Sequence, residues 1–207
     1  MNLHLPDGAE IANADGKLVA YMKNQYEIYD RVQVSQDSTL TLFDILLSVT
    51  MNSRLDTADK VRSVWNGKKP VEKALAKIPP NLSLQNKNIP WDQLAELFDA
   101  FCGIRYAGPA VTTKILHKKR PKLIPIYDSI IDRYIDKHTS EPQLPRGSSV
   151  GERMVRGVKG FRNVLLECLK GIERLRGSAK MKPFRVSPVR TLEALLWLKH
   201  EPNGYYR

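Results

Sequence analysis

Apolar side chains recur at three- and four-residue intervals along almost the whole chain, and no segment keeps the two-residue alternation of a half-buried strand. The clearest stripe follows Pro90 and comprises Trp91, Leu94, Ala95, Leu97, Phe98 and Phe101. This spacing places apolar residues on one face of successive helices. We therefore predict an all-α protein, and 207 residues suffice for one domain or two small lobes.

Proline marks the start of several predicted helices. Pro70, Pro90 and Pro188 each precede an amphipathic run, and proline is tolerated in the first turn of a helix because its missing N–H would have no partner there. Two further helices are predicted over residues 16–32 and 42–51. The second is apolar on most faces, which predicts a position in the middle of a bundle.

Two segments have the composition of loops, residues 79–88 and 138–151, where Pro, Gly, Ser and Asn cluster. The second carries Arg146, and Arg153 follows it. It is either an ordered loop that contacts nucleic acid or a mobile excursion, and the sequence favours neither.

The cysteines and the first residues limit the class of protein. Cys102 and Cys168 each lie in an apolar helical run, so we expect buried thiols rather than a disulfide framework or a thiolate metal site. No run of about eighteen apolar residues predicts a membrane span. The chain start lacks the layout of a signal peptide, so we expect a cytoplasmic protein.

The excess of positive charge is confined to the second half of the chain. Residues 1–100 contain 11 Lys and Arg against 13 Asp and Glu, whereas residues 101–207 contain 22 against 9. A basic surface attracts polyphosphate by releasing counterions, so we expect nucleic acid before an anionic membrane or an acidic protein. The alternative is that the lysines only keep the protein in solution.

Residues 103–114 have the sequence of a helix end, a tight turn and a new helix start, and a basic cluster follows at residues 117–122. Such a hairpin can point the free N–H groups of its second helix at a phosphate, and glycine allows close approach. The alternative is an ordinary pair of helices with a solvated charged end. The predicted phosphate-binding surface includes Arg105, Tyr106, Gly108, Ala110, Thr112, Lys114, Lys118, Lys119, Arg120 and Lys122.

A short extended run then ends in Asp128. Pro121 and Pro125 disfavour a helix before it, and apolar residues return at helical spacing after it. Asp128 therefore stands at a helix start. A capping role explains this aspartate in isolation.

The hairpin ending at Gly108, the Arg-Pro corner and the apolar run ending at Asp128 together resemble the helix-hairpin-helix DNA glycosylases. The twenty residues from Gly108 to Asp128 are similar to the separation between that family's last hairpin glycine and its catalytic aspartate. Residues 41–65 resemble the segment that opens the family's helical barrel. The resemblance covers about residues 38–135.

The resemblance implies a two-lobed helical fold that binds duplex DNA carrying a damaged base. Residues 36–127 would form the barrel, and residues 1–35 with 128–207 would form the second lobe. Asp128 would stabilise the positive charge that develops on the sugar as the N-glycosidic bond breaks. Arg54 would fill the gap left by the flipped base, unless it is a surface arginine that contacts a phosphate.

Departures from the family's pattern limit which reaction and which cofactor we expect. Tyr106 replaces the first hairpin glycine, and tyrosine takes a left-handed backbone only at a cost. Ala110 stands where glycosylases that also cut the backbone carry their Schiff-base lysine, so a monofunctional enzyme is expected. Lys114 lies one turn further along, where a phosphate contact explains it equally well. Two cysteines cannot hold the family's four-cysteine iron–sulfur cluster, and no cofactor is expected.

Two functions are therefore open. The spacing of Asp128 favours a monofunctional glycosylase acting on a modified base, whereas Tyr106 favours a non-catalytic DNA-binding module on the same fold. A protein-interaction role without nucleic acid comes third, because the second half of the chain is so basic.

Overall fold

Ten helices lie in the residues described by the computed structural model, which are 1–24, 26–138, 140–181, 183–184 and 186–200. Helices α1 to α10 span Ala14–Asn24, Glu27–Arg31, Leu42–Val49, Ala58–Asn66, Lys68–Leu75, Trp91–Cys102, Pro109–Lys119, Ser129–His138, Val150–Arg176 and Pro188–His200. Strands β1 (Leu3–His4) and β2 (Glu10–Ile11) pair antiparallel before them. The mostly helical fold is thus confirmed, with a two-stranded ribbon that the spacing did not predict.

The proline signals are confirmed at three helix starts. Pro188 is the first residue of α10, Pro90 directly precedes α6, and Pro70 lies in the first turn of α5. The stretch 16–32, predicted as one helix, instead contains most of α1 and the separate five-residue α2. Amphipathic spacing persists across the break between them, so the spacing alone did not reveal it.

Helix α3 is not in the middle of a bundle, and that prediction is wrong. Its exposed side chains, between 37% and 54% accessible, are Leu42, Phe43, Leu46 and Val49. The opposite face, with Ile45 and Ser48, packs towards α7 and α4. Apolar composition on most faces predicts burial only where every face has a neighbour.

The longest helix, α9, is packed against α6 along much of its length and also contacts α8, α10 and β1. A Cβ on Gly151 would lie 2.1 Å from the carbonyl oxygen of Ala95, so glycine permits this close approach. Asp99 of α6 accepts the N–H of Gly151 at 2.7 Å. The first turn of α9 is thereby fixed to the hairpin's first helix.

Helix α1 packs against α10, the last helix of the described residues, and α10 in turn contacts α8 and α9. The α6–α9 contact crosses the boundary between the two lobes expected at residue 127. The division into two lobes therefore stays a prediction.

Cys168 is buried as predicted, whereas Cys102 is half-buried with its Sγ 3.4 Å from Thr112 Oγ1. Within the described ranges, no helix combines the length and the apolarity needed to cross a membrane.

Candidate functional site

The basic cluster after the hairpin lies mostly inside the protein. Lys119 is 1% exposed, and its Nζ lies 2.9 Å from the Asp44 carboxylate and donates to the Ser35 carbonyl at 2.9 Å. Arg120 is equally buried and donates to the main-chain carbonyls of Gln36, Leu75 and Ile78. These side chains cannot reach a phosphate, so the predicted role of Lys119 and Arg120 is corrected to a structural one.

The other two cations of the cluster differ from each other. Lys118 is half-buried and donates to the Tyr29 carbonyl at 2.8 Å, and burial lowers its pKa to about 8. Lys122 is exposed. Main-chain carbonyls from distant segments accept the hydrogen bonds of the buried cations. The run of basic residues, which the sequence alone would place in solvent at a helix end, is therefore largely buried.

The α6–α7 hairpin forms where it was predicted. Gly108 is the N-cap of α7, no side chain of the described residues caps this end, and a Cβ on Gly108 would meet nothing within 4 Å. Thr112 is buried and donates to the Ala107 carbonyl at 3.1 Å, so it braces the turn rather than facing a phosphate. The free N–H groups at the start of α7 carry the partial positive charge that favours an anion.

Tyr106 keeps the left-handed conformation at its position in the hairpin turn, with φ of 72°. Tyr106 is 43% exposed, and the guanidinium of Arg105 lies over its ring at 4.6 Å from the ring centre. The turn therefore forms despite tyrosine, at a backbone cost of about 1–2 kcal/mol relative to glycine.

The extended run before Asp128 lies along α7 and is held there by two side chains one turn apart. His117 Nδ1 lies 2.7 Å from the Ile124 carbonyl, and Thr113 Oγ1 accepts the Tyr127 N–H at 3.0 Å. Burial lowers the pKa of His117 to about 3, so the ring is neutral near pH 7 and donates from Nδ1. These contacts bring Asp128 to the N-terminal end of α7.

Asp128 is half-buried and caps α8. Its Oδ1 accepts the N–H groups of Ile130 at 2.9 Å and Ile131 at 3.1 Å. All hydrogen bonds from the described residues to this carboxylate end on Oδ1. Asp128 therefore does cap α8. Its cap hydrogen bonds use only Oδ1, so Oδ2 is available to a bound group.

A cavity of about 690 Å³ opens beside Asp128. Pro109 and Ala110 from the start of α7 line it, and so does the loop between α8 and α9. The loop residues are Gln143, Leu144 and Pro145, and the remaining wall residues include Tyr127, Asp132, Asp136, Arg153 and Arg156. The loop predicted over residues 138–151 thus contributes to the candidate site, although Thr139 lies outside the described residues.

One wall of the cavity is acidic. Asp128, the cap of α8, is followed at four-residue spacing by Asp132 and Asp136 on that helix, so the three side chains share a face. Arg156 compensates part of this charge, since its Nη1 lies 2.7 Å from Asp136, and its Nε donates to the Pro142 carbonyl at 2.9 Å. Such a wall suits a group that gains positive charge and disfavours a phosphate.

Lys114 joins the turn after α3 to the hairpin. Its side chain is nearly buried, and Nζ donates to the Asn52 carbonyl at 3.2 Å. Burial lowers the pKa of Lys114, the nearby charge of Asp128 raises it, and Arg54 lowers it further. Asp128 and Arg54 therefore each lie within electrostatic range of Lys114, and Arg54 is exposed.

Several cavity residues were not predicted from the sequence. The four-residue spacing of Asp132 and Asp136 from Asp128 is a signal that could have revealed them. Arg153 was named only as a neighbour of the predicted loop over residues 138–151, and Arg156 carried no signal, because both reach the cavity through the packing of α9 against α6 and α8.

Residues 13–200 match the model of a family of unknown function, DUF6308, and the chain belongs to that family. No curated protein and no solved structure matches the chain.

Proposed function

We propose that this member of the DUF6308 family binds DNA and acts as a monofunctional DNA glycosylase that hydrolyses the N-glycosidic bond of a modified base. The observation that carries this function is that Asp128 lines the same cavity as Pro109 and Ala110, the first residues of the hairpin's second helix. A carboxylate and a helix N-terminus thus border one space. The helix-hairpin-helix glycosylase fold is part of the same proposal.

The cavity suits a flipped nucleobase in size and in charge. Its volume of about 690 Å³ lies in the range of small-molecule pockets. As the base departs, positive charge develops on the sugar, and a fixed carboxylate stabilises that charge or orients a water molecule for attack. The two N–H donors on Oδ1 hold the Asp128 carboxylate in one orientation.

Phosphate contacts are assigned to the exposed groups only. The free N–H groups of α7 favour an anion, and Arg54, Arg105 and Lys122 are exposed cations of the predicted surface. Fewer contacts than the sequence implied would give a weaker dependence of affinity on salt.

A non-catalytic DNA-binding module is the second candidate. One observation favours it: both hydrogen bonds of Asp128 serve the cap of α8 and require no chemistry. This candidate keeps the hairpin and the exposed cations but assigns no reaction to the cavity.

Asp128→Asn separates the two candidates. Asparagine caps a helix about as well as aspartate, so thermal unfolding should be unchanged, whereas loss of the negative charge should lower base release at least about 100-fold. The assay measures free base from duplexes carrying alkylated, deaminated or oxidised bases, with alkali to cut the abasic sites. Asp132→Asn, which removes a charge one turn further along the same wall, is the matched control and should retain most activity.

Each outcome decides between the candidates. Wild-type protein that binds DNA but releases no base from the panel would leave only the binding module. Equal activity of wild-type protein and Asp128→Asn would remove Asp128 from the reaction. Wild-type protein that does not bind duplex DNA at low salt would end both candidates.

A further inference from the structure

Three of the four non-glycine residues with positive φ in the described chain lie in two turns. Asn52 and Arg54, with φ of 55° and 59°, follow α3, and Tyr106, with φ of 72°, lies in the hairpin turn. The left-handed region is unfavourable for residues with a Cβ, and such residues concentrate where their geometry is used. Their grouping points to a common purpose.

Helix α4 fixes both turns. Lys60 Nζ donates to the Arg54 carbonyl at 3.2 Å, and Ser63 Oγ donates to the Arg105 carbonyl at 3.0 Å. Lys60 and Ser63 are three residues apart, so they are neighbours on the surface of α4. The two turns therefore lie side by side, and we call residues 52–54 with 105–106 the two-turn edge.

Four residues of the two-turn edge are exposed to solvent: Asn52, Arg54, Arg105 and Tyr106. Tyr106 is the large aromatic group among them, and Arg105 covers one face of its ring at 4.6 Å. An exposed aromatic ring beside a guanidinium matches a nucleobase, which stacks on flat surfaces, and the phosphate that follows it.

We propose that Tyr106, with Arg105 stacked on it, is a platform for an unpaired nucleobase, so that the protein prefers nucleic acid with unpaired bases to fully paired duplex. This inference rests on the proposed DNA binding and adds the strand state that is bound. A base within a paired duplex has both faces covered by its neighbours, so the Tyr106 ring can stack only on a base released from that stack.

Affinities measured by fluorescence anisotropy test the platform with the full chain. The probes are a short labelled duplex, the same duplex with a bulge of a few nucleotides, and the labelled single strand. Wild-type protein should bind the bulged probe and the single strand more tightly than the paired duplex. Tyr106→Gly removes the ring and should weaken binding of both unpaired probes about fivefold or more, and by a larger factor than binding of the paired duplex.

The glycine variant also separates binding from folding. Glycine is favoured at positive φ, so Tyr106→Gly should unfold at the same temperature as wild-type protein or higher. Tyr106→Phe keeps the ring and should keep the preference for unpaired probes. A 2-aminopurine in the bulge should lose fluorescence on binding wild-type protein and Tyr106→Phe, and not on binding Tyr106→Gly.

The inference is overturned by wild-type protein that binds all probes equally, or by Tyr106→Gly that binds the bulge as tightly as wild-type protein. In either case, salt-dependent duplex binding would leave the proposed DNA function intact. Wild-type protein that binds none of the probes would overturn the platform and the proposed function together.

Discussion

The amine of Lys119 lies 2.9 Å from the carboxylate of Asp44, and each side chain is about 1% exposed. The same carboxylate accepts hydrogen bonds from the N–H and Oγ1 of Thr41, the N-cap of α3. The cap of α3 and its attachment to α7 therefore depend on one aspartate. A charge pair removed from water is stable only while both partners are present.

We expect Lys119→Met to lower the free energy of unfolding by about 3–5 kcal/mol, because it leaves the Asp44 charge buried without a partner. Urea denaturation followed by circular dichroism measures the loss. Lys122→Met, at the exposed end of the same cluster, is the control and should change stability by less than about 0.5 kcal/mol. Equal small effects of both variants would contradict the buried pair.

Salt dependence of duplex binding should identify the exposed cations that contact DNA. Lys122→Ala and Arg105→Ala should each reduce the slope of log affinity against log salt by about one unit, since each removes one of the proposed phosphate contacts. Lys77→Ala is the control, because Lys77 lies in the acidic half and pairs with Glu96 at 2.7 Å. Unchanged slopes for all three variants would remove Lys122 and Arg105 from the DNA-contacting surface.

His117 should make the protein sensitive to acid. Burial lowers its pKa from 6.5 to about 3, so between these values the unfolded chain binds a proton that the folded protein does not. The contribution of the neutral His117 ring to the free energy of unfolding is complete above about pH 6.5. It is lost as the pH falls towards about 3, by at most about 1.4 kcal/mol per pH unit.

His117→Asn keeps an N–H donor for the Ile124 carbonyl and removes the titrating ring. It should be less stable than wild-type protein near neutral pH because it leaves a cavity. The difference between the two proteins should shrink as the pH falls from about 7 to about 5. A difference in urea midpoint that stays constant over this interval would be the contrary result.

Glu193 should change the stability of the protein with pH in the opposite direction to His117. It is buried beside Arg190, which also pairs with both carboxylate oxygens of Asp30. Burial raises the pKa of Glu193 from 4.5 to about 7 against the opposing charge of Arg190. The folded protein then binds the extra proton, so this contribution is complete below about pH 4.5 and is lost as the pH rises through about 7.

Glu193→Gln supplies the uncharged form at every pH. Its stability relative to wild-type protein should therefore rise between about pH 5 and about pH 8, which unfolding midpoints across this range would measure. A relative stability that stays constant from about pH 5 to about pH 8 would show that Arg190 keeps Glu193 ionised when buried.

The sequence predicted the hairpin and the helix start at Asp128 because local features encode both: glycine and proline in a turn, and apolar spacing after an aspartate. It did not predict that Lys119 and Arg120 are buried, because their partners Ser35 and Leu75 lie far along the chain. A charged side chain is read as solvated unless its tertiary partners are known.

Tyr106 shows a related limit. Its side chain disfavours the left-handed backbone, so sequence reasoning placed the turn geometry in doubt, yet contacts such as Ser63 Oγ to the Arg105 carbonyl hold the turn. The contribution of α9 to a cavity wall was missed for the same reason, since the α6–α9 packing that places Arg156 there is not a local property.

The cations at the end of α7 also set an order of events during synthesis. While the ribosome has made only the first hundred residues, Asp44 has no buried cation to neutralise it, and the carbonyls of Leu75 and Ile78 lack their guanidinium donor. Contacts over such separations form slowly, because the intervening chain must close first. The amino-terminal half of a nascent chain therefore completes its interior only after Arg120 has left the ribosome.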